Sequence, residues 1–269
     1  MSRFTKKTAL ISSLVLPFAF GAAANAAQIT EWNYTVDNSF TSATFSSGNG
    51  SVTEQDNELS WGSNSIRSSV SIDDVSNPPV LVTNNAEGVR GGTFVHNNQP
   101  IPAAAKRLQA FDLTSTLSLS ARTPVESEGK GPSALPITFS SFFTETYNGN
   151  GCFEGSASVC DDIFSLGNPE FGGINDNGNF EFAAPSFAID GYNYTVFLEI
   201  VGLSTLTGEQ CQIANASANC IGFLTREGEV NRFESNFRII SSAVSVPEPG
   251  SLALLGLGLI GMGVASRRK

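Results

Sequence analysis

Short runs of alternating or β-branched and aromatic residues, separated by turn-forming residues, fill most of this chain. The runs lie at residues 29–36, 40–45, 65–72, 80–83, 108–120, 135–147, 179–189, 192–203 and 232–244. Clusters of Gly, Asn, Asp and Ser separate them, for example at 47–50 and 148–151. Between the two terminal segments we find no sustained 3.6-residue period with helix caps. This pattern predicts one all-β domain, an antiparallel β-sandwich or jelly-roll-like fold.

The first 26 residues have the organisation of a secretory signal peptide. Three basic residues precede a largely apolar segment at 8–20, and small residues follow at 22–27. We predict cleavage after Ala26, which places the body outside the cytoplasm. An N-terminal membrane anchor is the alternative. About 13 apolar residues extend only about 20 Å as a helix, whereas the hydrocarbon core is about 30 Å thick.

The charge balance excludes one class of partner and one class of metal site. The chain has 15 Lys and Arg against 25 Asp and Glu, a formal net charge of −10. Basic residues cluster at both ends, so the body is more acidic than the whole chain. Such a surface does not favour nucleic acid, whose phosphates need a basic footprint. A single histidine excludes a metal site with two imidazole ligands.

The four cysteines, Cys152, Cys160, Cys211 and Cys220, support export. Their spacing does not match the C-x2-C pattern of zinc ribbons or redox motifs. An even number of cysteines in an exported chain predicts two disulfides. Pairing within each local pair is the simplest arrangement, and pairing between the two local pairs stays open.

The C-terminal segment, residues 246–269, combines a proline motif, an apolar helix and a basic end. The motif is Val246, Pro247, Glu248 and Pro249, the helix is expected at 251–266, and the chain ends in Arg267, Arg268 and Lys269. This order resembles a PEP-CTERM sorting signal. The resemblance implies an exosortase as processing partner, transient insertion in the inner membrane, and delivery to the cell surface. The basic tail would stay cytoplasmic under the positive-inside rule. A plain membrane anchor is the alternative.

The body, residues 27–245, is similar to the THxN family of PEP-CTERM proteins. The similarity rests on five segments, at 59–62, 93–101, 142–148, 161–164 and 222–227. The chain keeps His96 and Asn98 of the Thr-His-x-Asn motif, with Asn97 between them, but Val95 replaces the threonine. The resemblance implies a β-fold at the cell surface and no established activity.

The segment from His96 to Asn98 is the most distinctive polar cluster in the sequence. A lone imidazole can orient a nucleophile, bind a metal beside carboxylates, or respond to pH. We favour a structural interpretation, in which His96 and Asn98 hydrogen-bond the backbone of an irregular loop. The Gly-x-Ser-x-Gly signature of a serine hydrolase is not present.

Other residues keep two alternative functions open. Paired carboxylates for glycoside hydrolysis could come from Glu145, Glu181, Glu199 or Glu227. Calcium could bind at Asp161 and Asp162, or at 175–179, although the second segment also fits a hairpin turn. Candidate aromatic residues for sugar stacking, most of which we assign to packing, are Trp32, Trp61, Tyr34, Tyr147, Tyr192 and Tyr194.

From the sequence we expect an exported, surface-sorted and non-catalytic protein of a Gram-negative bacterium. It needs no metal, cofactor or catalytic residue in this interpretation. Its candidate partner, besides the exosortase, is extracellular polysaccharide of the biofilm matrix. The alternatives are a secreted glycan hydrolase and a calcium-dependent carbohydrate-binding module.

Overall fold

A computed structural model describes residues 27–244, except residues 77, 150, 158 and 168. The predicted signal peptide (1–26) and sorting segment (246–269) lie outside the described residues. The strands, in chain order, are β1 Glu31–Phe45, β2 Thr53–Gln55, β3 Glu58–Gly62, β4 Arg67–Ile72, β5 Leu81–Val82, β6 Val89–Asn97, β7 Leu108–Thr123, β8 Leu135–Thr144, β9 Asp162–Leu166, β10 Gly172–Ile174, β11 Phe180–Ala183, β12 Phe187–Ile189, β13 Tyr192–Ile200, β14 Ser204–Thr205, β15 Ile221–Thr225 and β16 Val230–Ala243. The helical turns are α1 Gly208–Ile213 and two 3-10 turns, Val125–Ser127 and Pro169–Phe171.

These strands form two antiparallel sheets that pack face to face. The first sheet has the order β14-β15-β9-β8-β7-β1-β5. The second has the order β10-β11-β13-β16-β6-β4-β3-β2, with β12 paired to β13 at its side. Every pairing between named strands is antiparallel, so the predicted all-β sandwich is confirmed.

The alternating pattern of the sequence builds the core between the sheets. Along β7, buried residues alternate with partly exposed ones for almost the whole strand, and β1 behaves in the same way over its first ten residues. Successive side chains of a strand point to opposite faces, so each strand buries one side. Large side chains such as Trp32, Phe139 and Phe237 are fully buried there. Each contributes roughly 1.5–3 kcal/mol through burial.

The strand boundaries differ from the sequence expectation in several places. The runs at 29–36 and 40–45 form one strand, β1, whose register shifts near Ser42. The run at 179–189 is divided into β11 and β12. Seven strands lie outside the predicted runs, because they are short or carry polar residues: β2, β3, β6, β9, β10, β14 and β15.

Helix α1 was not expected from the hydrophobic pattern. Thr207 caps it, because its hydroxyl accepts a hydrogen bond from the Gln210 backbone and the Gln210 side chain accepts one from Thr207 N. This reciprocal pair is a capping box. The helix is only six residues long, too short for a periodic pattern to reveal it.

Both disulfides are local. Cys152 is bonded to Cys160, and Cys211 is bonded to Cys220. The expected local pairing is therefore confirmed, and the alternative between the two pairs is wrong. The first disulfide constrains the loop between β8 and β9, and the second ties α1 to the start of β15. Within residues 27–244, none of the described helices has the length and apolar character needed to cross a membrane.

Candidate functional site

Three neighbouring strand ends meet at one end of the sandwich. β8 ends at Thr144, β9 begins at Asp162, and β15 ends at Thr225, and these strands are adjacent in the first sheet. Because the strands are antiparallel, the end of β8, the start of β9 and the end of β15 lie at the same end of the sheet. The end of β6 in the second sheet lies opposite, since Asn98 donates to the Thr225 carbonyl over 3.2 Å.

His96 is buried in the interior at this end. It lies in β6, not in a loop, and is inaccessible to solvent. Its Nδ1 lies 2.9 Å from the Thr225 hydroxyl, and Nε2 has no hydrogen-bond partner among the described residues. The Trp61 ring stacks on the imidazole, and Phe143 and Phe164 meet it edge-on. Burial lowers the His96 pKa to about 3, so the ring is neutral at pH 7.

Trp61 links the aromatic cluster to a carboxylate. Its indole Nε1 donates to Oε2 of Glu145 over 3.1 Å. Glu145 follows directly after β8, and its other oxygen, Oε1, has no hydrogen-bond partner among the described residues. Burial, with a smaller contribution from the nearby Glu227 charge, raises the Glu145 pKa to about 8, although the Trp61 hydrogen bond and Arg107 oppose the rise.

Asp162 opens β9 and is fully buried. Its Oδ1 accepts a hydrogen bond from the Thr146 backbone over 2.8 Å. Its Oδ2 has no partner in the described part of the chain. Burial raises the Asp162 pKa well above its usual value, and the charge of Glu145 raises it further.

Glu227 is the third carboxylate at this end. It follows β15 and is buried, and the Asn148 side chain hydrogen-bonds it. One oxygen each from Glu145, Asp162 and Glu227 lies within 4.8 Å of the others. Burial raises the Glu227 pKa as well. Three carboxylates so close together in a buried place repel one another strongly when all are ionised.

A surface cavity reaches Glu145. The cavity, of about 400 Å³, is lined by Glu145, Arg107, Phe143 and Asn215, among others. Among the described residues, Asp162 and Glu227 do not line this cavity. Tyr147, two residues after Glu145 in the chain, is largely exposed.

The other predicted carboxylates lie elsewhere. Glu181 and Glu199 face each other across β11 and β13 in the second sheet. Glu181 forms an ion pair with Arg238, and Glu199 accepts a hydrogen bond from Asn179. Neither belongs to the carboxylate group. The second candidate calcium segment, 175–179, forms the expected hairpin turn between β10 and β11.

The remaining predicted positions are divided between core and surface. Trp32, Trp61, Tyr34 and Tyr194 are buried, in agreement with their assignment to packing. Asp161 accepts a hydrogen bond from the backbone of Ala157, inside the disulfide-closed loop. The sorting motif and the basic tail lie outside the described residues.

The segments at 59–62, 93–101, 142–148, 161–164 and 222–227 converge at this end of the sandwich. Each contributes at least one residue: Trp61, His96 and Asn98, Glu145, Asp162, and Thr225 with Glu227. Val95 and Asn97 are partly exposed and alternate with the buried His96 and Asn98 along the chain. The departure at Val95 therefore lies on the outer face of β6.

Sequence reasoning named the three carboxylates but not their association. It also missed Thr225 as the His96 partner and the Phe143 and Phe164 rings around the imidazole. A usable signal was present for Glu145, which lies in the predicted run at 135–147. The pairing order of the strands was not available from a single sequence.

Comparison with known proteins gives one match. Residues 245–269 match the model of the PEP-CTERM protein-sorting motif. Neither the curated proteins nor the solved structures contain a match to the chain. The motif indicates a protein that is processed by an exosortase and sorted to the cell surface.

Proposed function

We propose that this chain is a non-catalytic component of the extracellular polysaccharide matrix of a Gram-negative bacterium. It is exported through its signal peptide and released from the inner membrane by an exosortase. The observation that carries this proposal is the sorting motif at residues 245–269. Exosortases belong to bacteria that make extracellular polysaccharide, so the motif favours a function in that matrix. Assignment to the THxN family is part of the same proposal.

The burial of the carboxylate group favours a non-catalytic function. A glycosidase needs two carboxylates on either side of a bound sugar. Here the surface cavity reaches Glu145, whereas Asp162 is fully buried and Glu227 is nearly so. A sugar in this cavity would contact one carboxylate of the group. The acidic body also favours neutral glycans or cations over anionic polymers.

The sorting part of the proposal is tested by intact mass. The protein is recovered from cells and from culture medium, with and without a functional exosortase. We expect loss of residues 1–26 and a new C-terminus near Pro247–Pro249 that depends on the exosortase. Glycan mass on the new terminus would identify surface attachment. A C-terminus at Lys269 in the membrane fraction, unchanged by exosortase loss, would contradict the proposal and leave a plain anchor.

One observation favours the hydrolase alternative. Glu145 and Glu227 are close together, and the pKa of Glu145 is raised to about 8, as expected of a general acid. The test compares release of reducing ends from matrix polysaccharide by the wild type, by Glu145→Gln and by Glu54→Gln, an exposed control in β2. The non-catalytic proposal predicts the same background for all three. Turnover that disappears only in Glu145→Gln would establish the hydrolase instead.

A further inference from the structure

The carboxylate group of Glu145, Asp162 and Glu227 has the composition of a site for a hard cation. One oxygen of each residue lies within 4.8 Å of the others, and Asp162 and Glu227 are buried. Arg107 lowers the pKa of Glu145, but this is the smallest of the effects that act on the Glu145 pKa. Buried charges are ordinarily paired with an opposite charge or coordinate a metal. The described residues supply little positive charge here.

Asn98 provides a second and independent indication. It is fully buried and directly follows β6 of the opposite sheet, and its amide nitrogen hydrogen-bonds the Asp162 carboxyl, which stabilises the charged form of that carboxyl. Its nitrogen donates to the Thr225 carbonyl, while its oxygen, Oδ1, has no partner among residues 27–244 as described. Oδ2 of Asp162 and Oε1 of Glu145 have no partner there either. A buried acceptor without a donor costs about 1–3 kcal/mol, and more when it is charged.

We propose that Glu145, Asp162 and Glu227 bind one calcium ion. Carboxylate and amide oxygens are the ligands that Ca²⁺ takes, six to eight at a time and in flexible geometry. Mg²⁺ demands near-ideal octahedral geometry and keeps its waters, which suits three separate strand ends less well. Zn²⁺ favours nitrogen and sulfur ligands, and His96 does not belong to the group.

The fold gives this ion a path and a structural role. The cavity beside Glu145 provides access from solvent, and water can complete the coordination from that side. Glu145 and Asp162 lie at the two ends of the loop closed by Cys152–Cys160. Glu227 lies in the turn that carries the chain from β15 to β16 in the other sheet. The ion therefore connects the loop, the turn and both sheets.

The test uses the full chain, stripped with chelator, dialysed into metal-free buffer and titrated with CaCl₂ by isothermal titration calorimetry. We expect one ion per chain, with a Kd of about 10⁻⁴–10⁻³ M or tighter, the range of extracellular calcium modules. Glu145→Gln and Asp162→Asn should each weaken binding at least tenfold. The exposed Glu54→Gln serves as the control and should bind like the wild type. Calcium should also raise the unfolding temperature of the wild type and of the control.

Two results would overturn the proposal. One is the absence of saturable binding by folded wild-type protein at millimolar calcium. The other is unchanged affinity in both ligand variants. Near-UV circular dichroism establishes that each variant is folded. If Asp162→Asn does not fold, Glu145→Gln decides the question, because Glu145 lines the solvent cavity and a neutral amide fits there.

Discussion

The two ends of the sandwich each bury one of the two tryptophans, and they satisfy polar groups differently. At one end, Trp32 Nε1 donates to the Thr83 hydroxyl over 2.9 Å, and that hydroxyl donates to the Ile29 carbonyl. The Ile29 amide in turn donates to the Tyr194 hydroxyl. This network contains no carboxylate. At the other end, Trp61 donates to Glu145, next to two further buried acids and a neutral His96.

This difference separates an end built for stability from an end built for a ligand. Satisfied neutral hydrogen bonds fix a core arrangement at little electrostatic cost. Buried acids with unpaired oxygens lower stability, and perturbed ionisable groups gather at functional sites. The Trp32 end therefore holds the sandwich together, whereas the Trp61 end keeps acceptor atoms available for a cation.

Truncation of either tryptophan should have the largest effect on stability. Trp32→Ala and Trp61→Ala each remove a fully buried ring, so each should lower the free energy of unfolding by about 3–5 kcal/mol. Denaturant unfolding in chelator measures both. A loss below about 1 kcal/mol for either variant would contradict the account of that end.

The two disulfides should contribute similarly to stability but differently to calcium binding. Each closes a short loop and should be worth roughly 2.5 kcal/mol. The double Cys→Ser variant at Cys152 and Cys160 frees the loop between Glu145 and Asp162, so it should also weaken calcium binding. The matched variant at Cys211 and Cys220 should leave the affinity unchanged. Equal effects on affinity would show that the loop does not position the ligands.

A matched pair of threonine substitutions compares the two networks directly. Thr83→Val removes the acceptor for Trp32 and the donor to Ile29, so it should cost about 1–3 kcal/mol. Thr225→Val removes the partner of His96 Nδ1 and a long hydrogen bond, of 3.5 Å, from the Thr225 hydroxyl to the Asp162 carbonyl. We expect the smaller loss at Thr225, again from denaturant unfolding. A larger loss at Thr225 would reverse the assigned roles of the two ends.

The pH dependence of stability should carry opposite contributions from His96 and Glu145. The unfolded chain protonates His96 below about 6.5 and the folded chain only near 3, so this residue lowers stability as pH falls through that window. In metal-free buffer, folded Glu145 keeps its proton up to about pH 8, so it lowers stability as pH rises from about 4.5 to 8. Each slope is at most about 1.4 kcal/mol per pH unit.

The difference between wild type and His96→Phe isolates the first contribution, since the chain has one histidine. Glu145→Gln isolates the second. The wild-type minus His96→Phe stability should fall as pH decreases from 6.5 to 5, and the wild-type minus Glu145→Gln stability should fall as pH increases from 5 to 8. A flat difference in either case would mean that the group is solvated in the native state.

Local signals in the sequence were sufficient for the fold class. The alternation along β1 and β7 identified buried faces, and cysteine spacing identified both local disulfides. These features depend on residues close together in the chain. The short strand β9 was not predicted, because all five of its residues are buried and show no alternation.

The site could be predicted only in parts. His96, Glu145, Asp162 and Glu227 were named as candidates, but they are brought together by strand order and by the packing of two sheets. Both are long-range properties that periodicity and turn signals do not encode. The burial of Asp162 and Glu227 at strand ends depends on the same long-range packing.

The most direct test of the contrast between the two ends is the indole N–H region of a ¹⁵N-labelled sample, since the chain has two tryptophans. Trp32→Phe assigns the two signals. We predict that calcium added to chelator-treated protein shifts the Trp61 signal, whose Nε1 donates to Glu145, and leaves the Trp32 signal in place. If neither signal moves at saturating calcium, or if only the Trp32 signal moves, the account is contradicted.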